Sequence, residues 1–569
     1  MTSASTAQSP SADQSETVDG ASDRGPDQQS AAPSTGGGGV AGVVRRRFAT
    51  VDARLDRSSW LATAVVVAIA AIVRFVGLSS PKSKIFDETY YAKDAYGLIS
   101  RGVEWNYKDN APSYVVHPPL GKWLIGLGEW AFGYQDTESR VSVPGHLITT
   151  APEFGWRFAS AVVGTLSVLL LVRIGRRLFR STVLGCAAGL LLALDGFHLV
   201  LSRAALLDIF LLFFVLAAFG ALVLDRDARR RRWARALDDG LDPSRPGRAG
   251  RPPTGWRTWP WWRLAAGVLL GCAFAVKWSA LYFVPVFALL VLLWEVGVRR
   301  SAGVRRPWRD TLLDELPWLV LAGVLLAVTY LATWSGWFLS DDGYYRLAST
   351  YPNAPLSDAP VIGPLINLFE YHQAALHFHR TLDEGHKYQS WPWQWLLLGR
   401  PVAFYWSSDA GCGASSCAGE ILLLGTPLLW WSFLPALVAL AWLGAARRDW
   451  RAGAILLTVA AGILPWFWFA LDGRTMFSFY AAPALPFLVL AVVYVLGALI
   501  APAGADVGAV ARLVPGDPGY ERRLVGSVAA GAYVLLVALC FAYFYPIFVG
   551  RSIPYSDWLS RMWLDGRWI

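Results

Sequence analysis

Long apolar segments alternate with shorter polar ones along most of the chain. Several contain about twenty mostly apolar residues, enough to cross a hydrocarbon core of about 30 Å as a helix. The pattern therefore predicts an all-α, polytopic membrane protein with about eleven spans. Their approximate positions are 59–79, 155–172, 183–200, 206–224, 262–276, 279–297, 315–335, 421–444, 453–471, 479–499 and 525–547.

Arginine clusters give these spans an orientation, since short cytoplasmic loops are enriched in Lys and Arg. The clusters lie on one side only if residues 262–297 form two spans around Lys277, because a single long span would reverse every later loop. We therefore expect a cytoplasmic N-terminus and an extracytoplasmic C-terminus. The clusters are Arg45–Arg47, Arg173–Arg180, Arg226–Arg232, Arg299–Arg306, Arg447–Arg451 and Arg522–Arg523.

The remaining segments are two tails and two long outer loops. Residues 1 to about 44 are rich in Ser, Gly, Gln and Asp and cannot bury a core, which predicts disorder. The loops are rich in Trp, Tyr, His and Pro, so we expect order, with short interfacial helices at 84–100 and 119–132. The predicted divisions are a cytoplasmic tail (1–58), a membrane domain (59–549) with outer loops 80–154 and 336–420, and an extracytoplasmic tail (550–569).

Composition supports this division. Hydrophobic residues make up 54% of the chain and charged residues 16%, which excludes an ordinary soluble domain. The net charge of +9 comes from arginines that follow spans, so nucleic-acid binding is not expected. Of the five cysteines, Cys412 and Cys417 lie in a Gly/Ser-rich outer loop, where a disulfide can persist.

The candidate catalytic groups are the adjacent carboxylates Asp87 and Glu88, in KIFDETYYAKDAY after the first span. A carboxylate can take the proton of a weakly nucleophilic hydroxyl as the new bond forms. Neighbouring helical residues point about 100° apart, which predicts different tasks for the two acids. The alternative is a pair of acids that stabilise a helix N-terminus.

Basic side chains form the second candidate group. In HPPLGKW, a helix start beside His117 and Lys122 suits a phosphate, although a Pro-started interfacial helix with a snorkelling Lys explains it as well. Charge inside a span is costly, so Arg74, Arg157 and Lys277 are expected to face a cavity or a partner and could hold a phosphate leaving group. A snorkelling Arg is the alternative for the two arginines.

The third group lies in the second outer loop, in HFHRTLDEGHKYQSWPWQW. His377, His379, Trp391 and Trp393 could bind sugar or peptide, and interfacial anchoring is an equal alternative for the tryptophans. The His-x-His spacing suits a strand rather than a helical metal face, and no HExxH motif is present, so we expect no metal site. Near the turn after the third span, we expect a structural network of Asp195, His198, Arg203 and Asp208.

Taken together, FDETYYAKDAY, HPPLGKW, the Trp156-Arg157 start of the second span, GVLLGCAFAVKWSALYF and HKYQSWPWQW resemble the protein O-mannosyltransferase family, in an actinobacterial form, over residues 60–550. The resemblance implies a GT-C glycosyltransferase that moves mannose from polyprenyl-phosphate-mannose, with inversion, to Ser or Thr of a secreted or translocating protein. It implies that Asp87 is the base, that Glu88 positions acceptor or sugar, that Arg157 lies near the lipid phosphate and that Arg74 is functionally sensitive.

The chain departs from the family in one respect, and the resemblance has several further implications. Eukaryotic members carry a β-trefoil MIR domain, whereas residues 336–420 show no repeated strand pattern. The implied setting is the plasma membrane, with an extracytoplasmic active site, membrane lipids and the translocon as partners, and no obligatory cofactor beyond the lipid-linked donor. Two alternatives stay open: a GT-C enzyme that glycosylates a lipid or cell-wall glycan, and a transporter.

Overall fold

The computed structural model describes residue 48 and residues 56–148, 151–408, 411–501, 519–564 and 568. Contacts divide the chain into two compact units, Met1–Arg47 and Phe48–Ile569. The first unit lies outside the described residues, and with it the prediction of a disordered tail. The second unit contains all the helices and strands given below.

The second unit is predominantly helical. Its α-helices, in chain order, are α1 (Arg57–Phe75), α2 (Glu88–Arg101), α3 (Leu120–Phe132), α4 (Pro152–Phe179), α5 (Thr182–Ala193), α6 (Gly196–Ser202), α7 (Asp208–Asp238), α8 (Trp261–Phe274), α9 (Phe283–Ala302), α10 (Pro307–Thr333), α11 (Ser335–Leu339), α12 (Ile362–Thr381), α13 (Pro392–Trp395), α14 (Pro427–Trp431), α15 (Phe433–Arg447), α16 (Trp450–Ile463), α17 (Pro465–Leu471), α18 (Leu485–Ile500), α19 (Tyr520–Phe548) and α20 (Tyr555–Leu559). Short 3₁₀ helices cover Gly247–Gly250, Trp256–Thr258, Trp278–Tyr282 and Ser478–Ala484.

Each of the eleven predicted apolar segments overlaps a helix, although the segment 421–444 begins in a strand, Cys417–Leu423, and the helices are not equally long. Within the described residues, nine helical segments are long and apolar enough to cross a membrane. The predicted third span is a pair, α5 and α6, bent by 66° at a short break, and it would make a tenth. The predicted fifth span, α8, has 14 residues and therefore a length of about 21 Å. The proposed split at Lys277 is present, since this residue separates α8 from the next helical segment.

Small strands supplement the helices. Strands β1 (Trp105–Asn106) and β2 (Ala111–Pro112) form one antiparallel hairpin, and β3 (Tyr134–Asp136) and β4 (Val141–Val143) form another. Strand β6 (Cys417–Leu423) lies between β5 (Val402–Ser407) and β7 (Ile553–Pro554), antiparallel to both. The predicted Cys412–Cys417 disulfide is present at the start of β6.

The two short helices expected in the first outer loop are α2 and α3. Gly128 on α3 and Gly155 on α4 allow these two helices to touch, because a Cβ on Gly128 would lie 2.1 Å from the Gly155 carbonyl oxygen. Small residues at such crossings bring helix backbones close together. The N-terminal end of the long helix α7 lies in the interior, where Asp208, Ile209 and Phe210 are almost completely buried.

Candidate active site

Two adjoining cavities open where α2, the N-terminal end of α7, the residues after α8 and the C-terminal end of α12 meet. The first has a volume of about 640 Å³ and is lined by Asp87 and Lys122 among others. The second has a volume of about 670 Å³ and is lined by Asp208. Both are lined by His117, Lys277, His379, Arg474 and Tyr480. The shared lining makes them one continuous site, which we call the active-site cavity.

Asp87 is the carboxylate in the cavity lining that is available to accept a proton. It lies just before the first turn of α2, is partly buried, and makes no side-chain capping bond to the helix. Among the described residues it has no ion-pair partner. Burial raises the pKa of its carboxyl to about 6, with Lys277 opposing this shift and Asp208 adding to it. At neutral pH the group is therefore ionised but more basic than an exposed aspartate.

Lys277 brings a positive charge to the centre of the site. The extended backbone at Lys277 ends α8 and leads into the 3₁₀ turn Trp278–Tyr282. Its Nζ lies 2.9 and 2.8 Å from the two carboxylate oxygens of Asp208, the first residue of α7. One carboxylate thus holds the ammonium group in place at the boundary between the two cavities.

Two histidines, His117 and His379, also line the cavity. The centroids of their rings lie 5.3 Å apart. His379 Nε2 lies 3.0 Å from the Val116 carbonyl oxygen, so this nitrogen carries the proton and donates it. Burial lowers the pKa of both imidazoles, that of His379 to about 4. A neutral His379 then presents an acceptor at Nδ1, which is buried without a partner among the described residues.

Lys122 occupies the floor of the first cavity. It is fully buried near the start of α3, where its Nζ donates to Glu104 at 2.5 Å and to the His117 carbonyl oxygen at 3.1 Å. Asp94 lies close by, and burial raises the pKa of its carboxyl to about 7. His117 and Lys122, the two residues of HPPLGKW predicted to suit a phosphate, thus lie together at the cavity, and Glu104 neutralises the lysine.

Glu88 and Arg157 are not among the residues that line the cavity. They form a fully buried ion pair in which Arg157 Nε and Nη2 donate to the two Glu88 oxygens at 2.8 and 2.9 Å. Glu88 also accepts from Trp156 Nε1 and from the backbone N–H groups of Ile85 and Ala205. Both oxygens of this carboxylate therefore accept hydrogen bonds from α4 and the surrounding loops instead of facing an open cavity.

Arg74 is fully buried beside α6 and likewise lies outside the cavity lining. Its Nη2 lies 2.7 Å from His198 Nδ1, and its Nη1 donates to the Ala70 carbonyl oxygen at 2.9 Å. Asp195 caps α6 through the His198 N–H, and Arg203 donates to carbonyl oxygens at the end of α1. Asp195 and His198 are joined as expected, whereas Arg203 contacts α1 instead. Asp208 is different, because it pairs with Lys277 in the cavity.

The second outer loop supplies one of its four candidate residues to the cavity. His379 lines it, whereas His377 is exposed on the other side of α12. His377 and His379 both belong to helix α12, where residues two positions apart point to different sides. Trp391 and Trp393 stack on each other at 5.6 Å and lie outside the lining. Among the described residues, no group of three or more His, Cys, Asp or Glu could hold a metal.

Several lining residues were not predicted as site residues. Tyr91 and Asp94 follow Asp87 at four and seven positions, the spacing of one helix face, so this periodicity in KIFDETYYAKDAY could have revealed them. Arg474 lines both cavities, and its Nε donates to the His379 carbonyl oxygen at 2.8 Å. Tyr480 gave no local signal, because its place depends on tertiary packing.

Comparison with known proteins assigns the chain to a family. A family model described as dolichyl-phosphate-mannose-protein mannosyltransferase matches residues 64–308, and a model of the C-terminal four-TMM region of protein O-mannosyltransferase matches residues 364–568. A polyprenol-phosphate-mannose--protein mannosyltransferase of Mycolicibacterium smegmatis is 40% identical over 525 residues, which cover 90% of this chain and 93% of the relative. The chain belongs to the protein O-mannosyltransferase family.

Further comparisons agree with this assignment. A relative of the same name from Corynebacterium glutamicum is 34% identical over 90% of this chain and 93% of its own length. The structure of the Saccharomyces cerevisiae protein O-mannosyltransferase Pmt1–Pmt2 complex bound to the sugar donor has a TM-score of 0.66 at 16% identity, covering 93% of this chain and 94% of that one. The predicted GT-C membrane fold is confirmed, and this protein O-mannosyltransferase family member is a multi-pass membrane glycosyltransferase.

Proposed function

We propose that this chain transfers mannose from polyprenyl-phosphate-mannose, with inversion, to Ser or Thr hydroxyls of secreted or translocating proteins. The observation that carries the proposal is Asp87, a partly buried carboxylate without an ion-pair partner among the described residues, in a cavity that it shares with Lys277. The names of the curated relatives support the donor and the protein acceptor. The proposed setting is the extracytoplasmic face of the plasma membrane.

In the proposed reaction Asp87 acts as a general base. It takes the proton of the acceptor hydroxyl as that oxygen forms a bond to the anomeric carbon of mannose, while the bond from this carbon to the phosphate oxygen breaks. The positive charges of Lys277 and Arg474 stabilise the phosphate as it leaves with both bonding electrons. Attack from the face opposite the leaving group inverts the anomeric centre, through an oxocarbenium-like state.

The two halves of the cavity suit two substrates. The second half is flanked by Trp278, Leu281 and Trp468, and Trp468 is 68% exposed on the outer surface of the helices. This apolar side suits the polyprenyl chain. The first half is bounded by polar groups such as Asn106 and Ser113, which suit a peptide backbone. Lys277 lies at the junction, where the sugar phosphate of the donor would meet the acceptor hydroxyl.

His379 is proposed to orient a substrate hydroxyl. Its unpartnered Nδ1 is an acceptor in the lining of both halves of the cavity, and an unsatisfied buried polar atom calls for an explanation such as a bound ligand. A hydroxyl of mannose or of the acceptor side chain would satisfy it. His117, through its ring, and Lys122, as a buried cation, line the first half of the cavity as well.

Glu88, Arg157 and Arg74 are proposed to position the site rather than to touch substrate. The Glu88–Arg157 pair fixes the start of α2, directly after Asp87, against the N-terminal end of α4. Arg74 ties α1 to α6, the short helix that precedes the loop leading to Asp208. Direct contacts of Arg157 with the phosphate and of Glu88 with the sugar would require these buried pairs to open. His377, Trp391 and Trp393 remain candidates for acceptor contacts outside the cavity.

The acceptor class is tested with membranes that contain the full chain, labelled polyprenyl-phosphate-mannose and a peptide rich in Ser, Thr, Pro and Ala. Transfer of label to the peptide, but not to a version with Ala at every Ser and Thr, is the expected result. Label that appears in the glycolipid fraction while the peptide stays unlabelled would replace the protein acceptor with a lipid or glycan. A translocon partner is a separate proposal, tested by crosslinking during secretion.

A further inference from the structure

A second polar cavity lies near the other end of α7. Asp208, at the start of α7, lines the active-site cavity, and the 21 residue steps to Arg229 amount to about 32 Å of helix. Arg229 lines a separate cavity of about 580 Å³, which we call the arginine cavity. Its basic lining residues are Arg229, Arg232, Arg248, Arg251 and Arg299.

The floor of the arginine cavity is a buried network of ion pairs that joins α7, α8, α9 and α10. Glu315 accepts from Arg263 at 2.6 Å, from Arg299 at 2.7 Å and from Arg229 at 2.5 Å. Glu295 accepts from Arg229 at 2.8 Å and from Arg299 at 2.5 Å. Both carboxylates are thus engaged by several guanidinium groups, and they hold the floor rigidly in place.

Two arginines of the lining have no carboxylate partner among the described residues. Arg232 donates from Nη2 to the carbonyl oxygens of Pro252 and Pro253 at 2.9 and 2.6 Å, but its Nε is buried without a partner in the described chain. Arg248 is exposed at the mouth and forms no ion pair within the described residues. The cavity therefore presents an unsatisfied donor and uncompensated positive charge, which together favour an anionic ligand.

The surroundings of the mouth indicate where that anion comes from. Trp259 lines the cavity, and further tryptophans beside it are exposed: Trp256 by 67%, Trp262 by 47% and Trp308 by 48%. Exposed tryptophans at the end of spans mark the level of lipid headgroups. An arginine-lined cavity at this level is adjacent to lipid phosphates, and basic pockets between spans bind such headgroups.

We propose that the arginine cavity binds the headgroup phosphate of an anionic phospholipid through Arg232 and Arg248. The phosphate oxygens would accept from Arg232 Nε and from the Arg248 guanidinium, while the ion-pair floor keeps α7 to α10 in register beneath the lipid. This site is distinct from the donor site, because it lies near the opposite end of α7. It gives the enzyme a requirement for anionic lipid that is independent of its lipid-linked substrate.

The test compares full-length protein in nanodiscs of phosphatidylcholine alone with protein in nanodiscs that also contain phosphatidylglycerol. Native mass spectrometry counts retained phosphatidylglycerol, and thermal unfolding measures the stabilisation that it gives. The variants are Arg232→Gln with Arg248→Gln, and Arg248→Gln alone, whose exposed side chain leaves the fold intact. The control is Arg245→Gln with Arg257→Gln, which removes two neighbouring charges outside the lining. A further arm adds inorganic phosphate to the phosphatidylcholine nanodiscs.

The expected result is at least about a tenfold loss of phosphatidylglycerol affinity in the double variant, a smaller loss in Arg248→Gln and wild-type retention in the control. Equal retention by all four proteins would overturn the proposal. Stabilisation by inorganic phosphate without stabilisation by phosphatidylglycerol would also overturn it, since the site would then bind a free anion.

Discussion

Asp87 and Glu88 are neighbours in the chain, yet their carboxylates have opposite surroundings. Glu88 is completely buried and accepts hydrogen bonds from Arg157, Trp156 and backbone N–H groups. Asp87 faces the active-site cavity, and its pKa is raised to about 6 by burial. Burial of this charge costs folding free energy, which Lys277 offsets only in part, and the carboxylate keeps its reactivity. We interpret this contrast as a division of labour between a catalytic carboxylate and a positioning one.

Asp87→Asn should therefore stabilise the protein. The raised pKa means that the folded state holds the Asp87 proton more tightly than the unfolded state, so ionisation opposes folding above about pH 6 and has no effect well below the usual value of 3.8. At pH 7.5 the expected gain is on the order of 1–3 kcal/mol, from about 1.4 kcal/mol per pKa unit. Thermal unfolding in detergent at pH 7.5 measures it, and a lower unfolding temperature for the variant would contradict this account of Asp87.

Lys277 allows catalysis to be separated from structure. Lys277→Met should lower kcat/KM by about a hundredfold, because it removes the charge proposed to stabilise the leaving phosphate, and it also leaves Asp208 unpaired. Adding Asp208→Asn should restore the unfolding temperature without restoring transfer. Recovery of transfer in this double variant would show that Lys277 serves only to neutralise Asp208.

At the scale of elements, Glu88→Gln tests the contact between α2 and α4. The Glu88–Arg157 pair is the contact that fixes the start of α2 on α4, and loss of one partner leaves a buried, uncompensated guanidinium. We expect a destabilisation of about 3–5 kcal/mol, seen as a lower unfolding temperature and a lower yield. If the variant folds as stably as wild type but loses transfer, Glu88 contacts substrate directly.

Helices and short-range motifs could be predicted from the sequence because their signals are local. The apolar segments, the interfacial helices α2 and α3, and the Cys412–Cys417 disulfide all follow from neighbouring residues. The pairing of Lys277 with Asp208 joins positions 69 residues apart and depends on how α7 and α8 pack. The position of His379 in the cavity and the exposure of His377 likewise depend on how α12 packs, which the spacing of the two residues does not show.

At the scale of the whole molecule, the chain places two charged cavities near opposite ends of α7. The active-site cavity has a paired lysine and a partly buried carboxylate without an ion-pair partner in the described chain, whereas the arginine cavity has paired acids and two arginines without a carboxylate partner among the described residues. We propose that glycosyl transfer takes place near one end of α7 and that an anionic lipid binds near the other.

The same arrangement predicts that transfer does not need a divalent metal. A monophosphate leaving group carries less charge than a diphosphate, and Lys277 and Arg474 both line the cavity proposed to hold it. Treatment with EDTA should therefore leave the rate of mannose transfer within about twofold of the untreated value, since positioned cations supply the charge stabilisation. A loss of activity that one specific ion restores would contradict this prediction.

The most direct test of the proposed mechanism is the pH dependence of mannose transfer to peptide by wild type, Asp87→Asn and the matched control Asp109→Asn. Asp109 lines the same cavity but is exposed. Wild-type kcat/KM should fall about tenfold per pH unit below about pH 6, whereas Asp87→Asn should be slower by roughly 10²–10⁴ at pH 7 and above and should lack this fall, with Asp109→Asn close to wild type. Transfer by Asp87→Asn at the wild-type rate would show that another group accepts the proton.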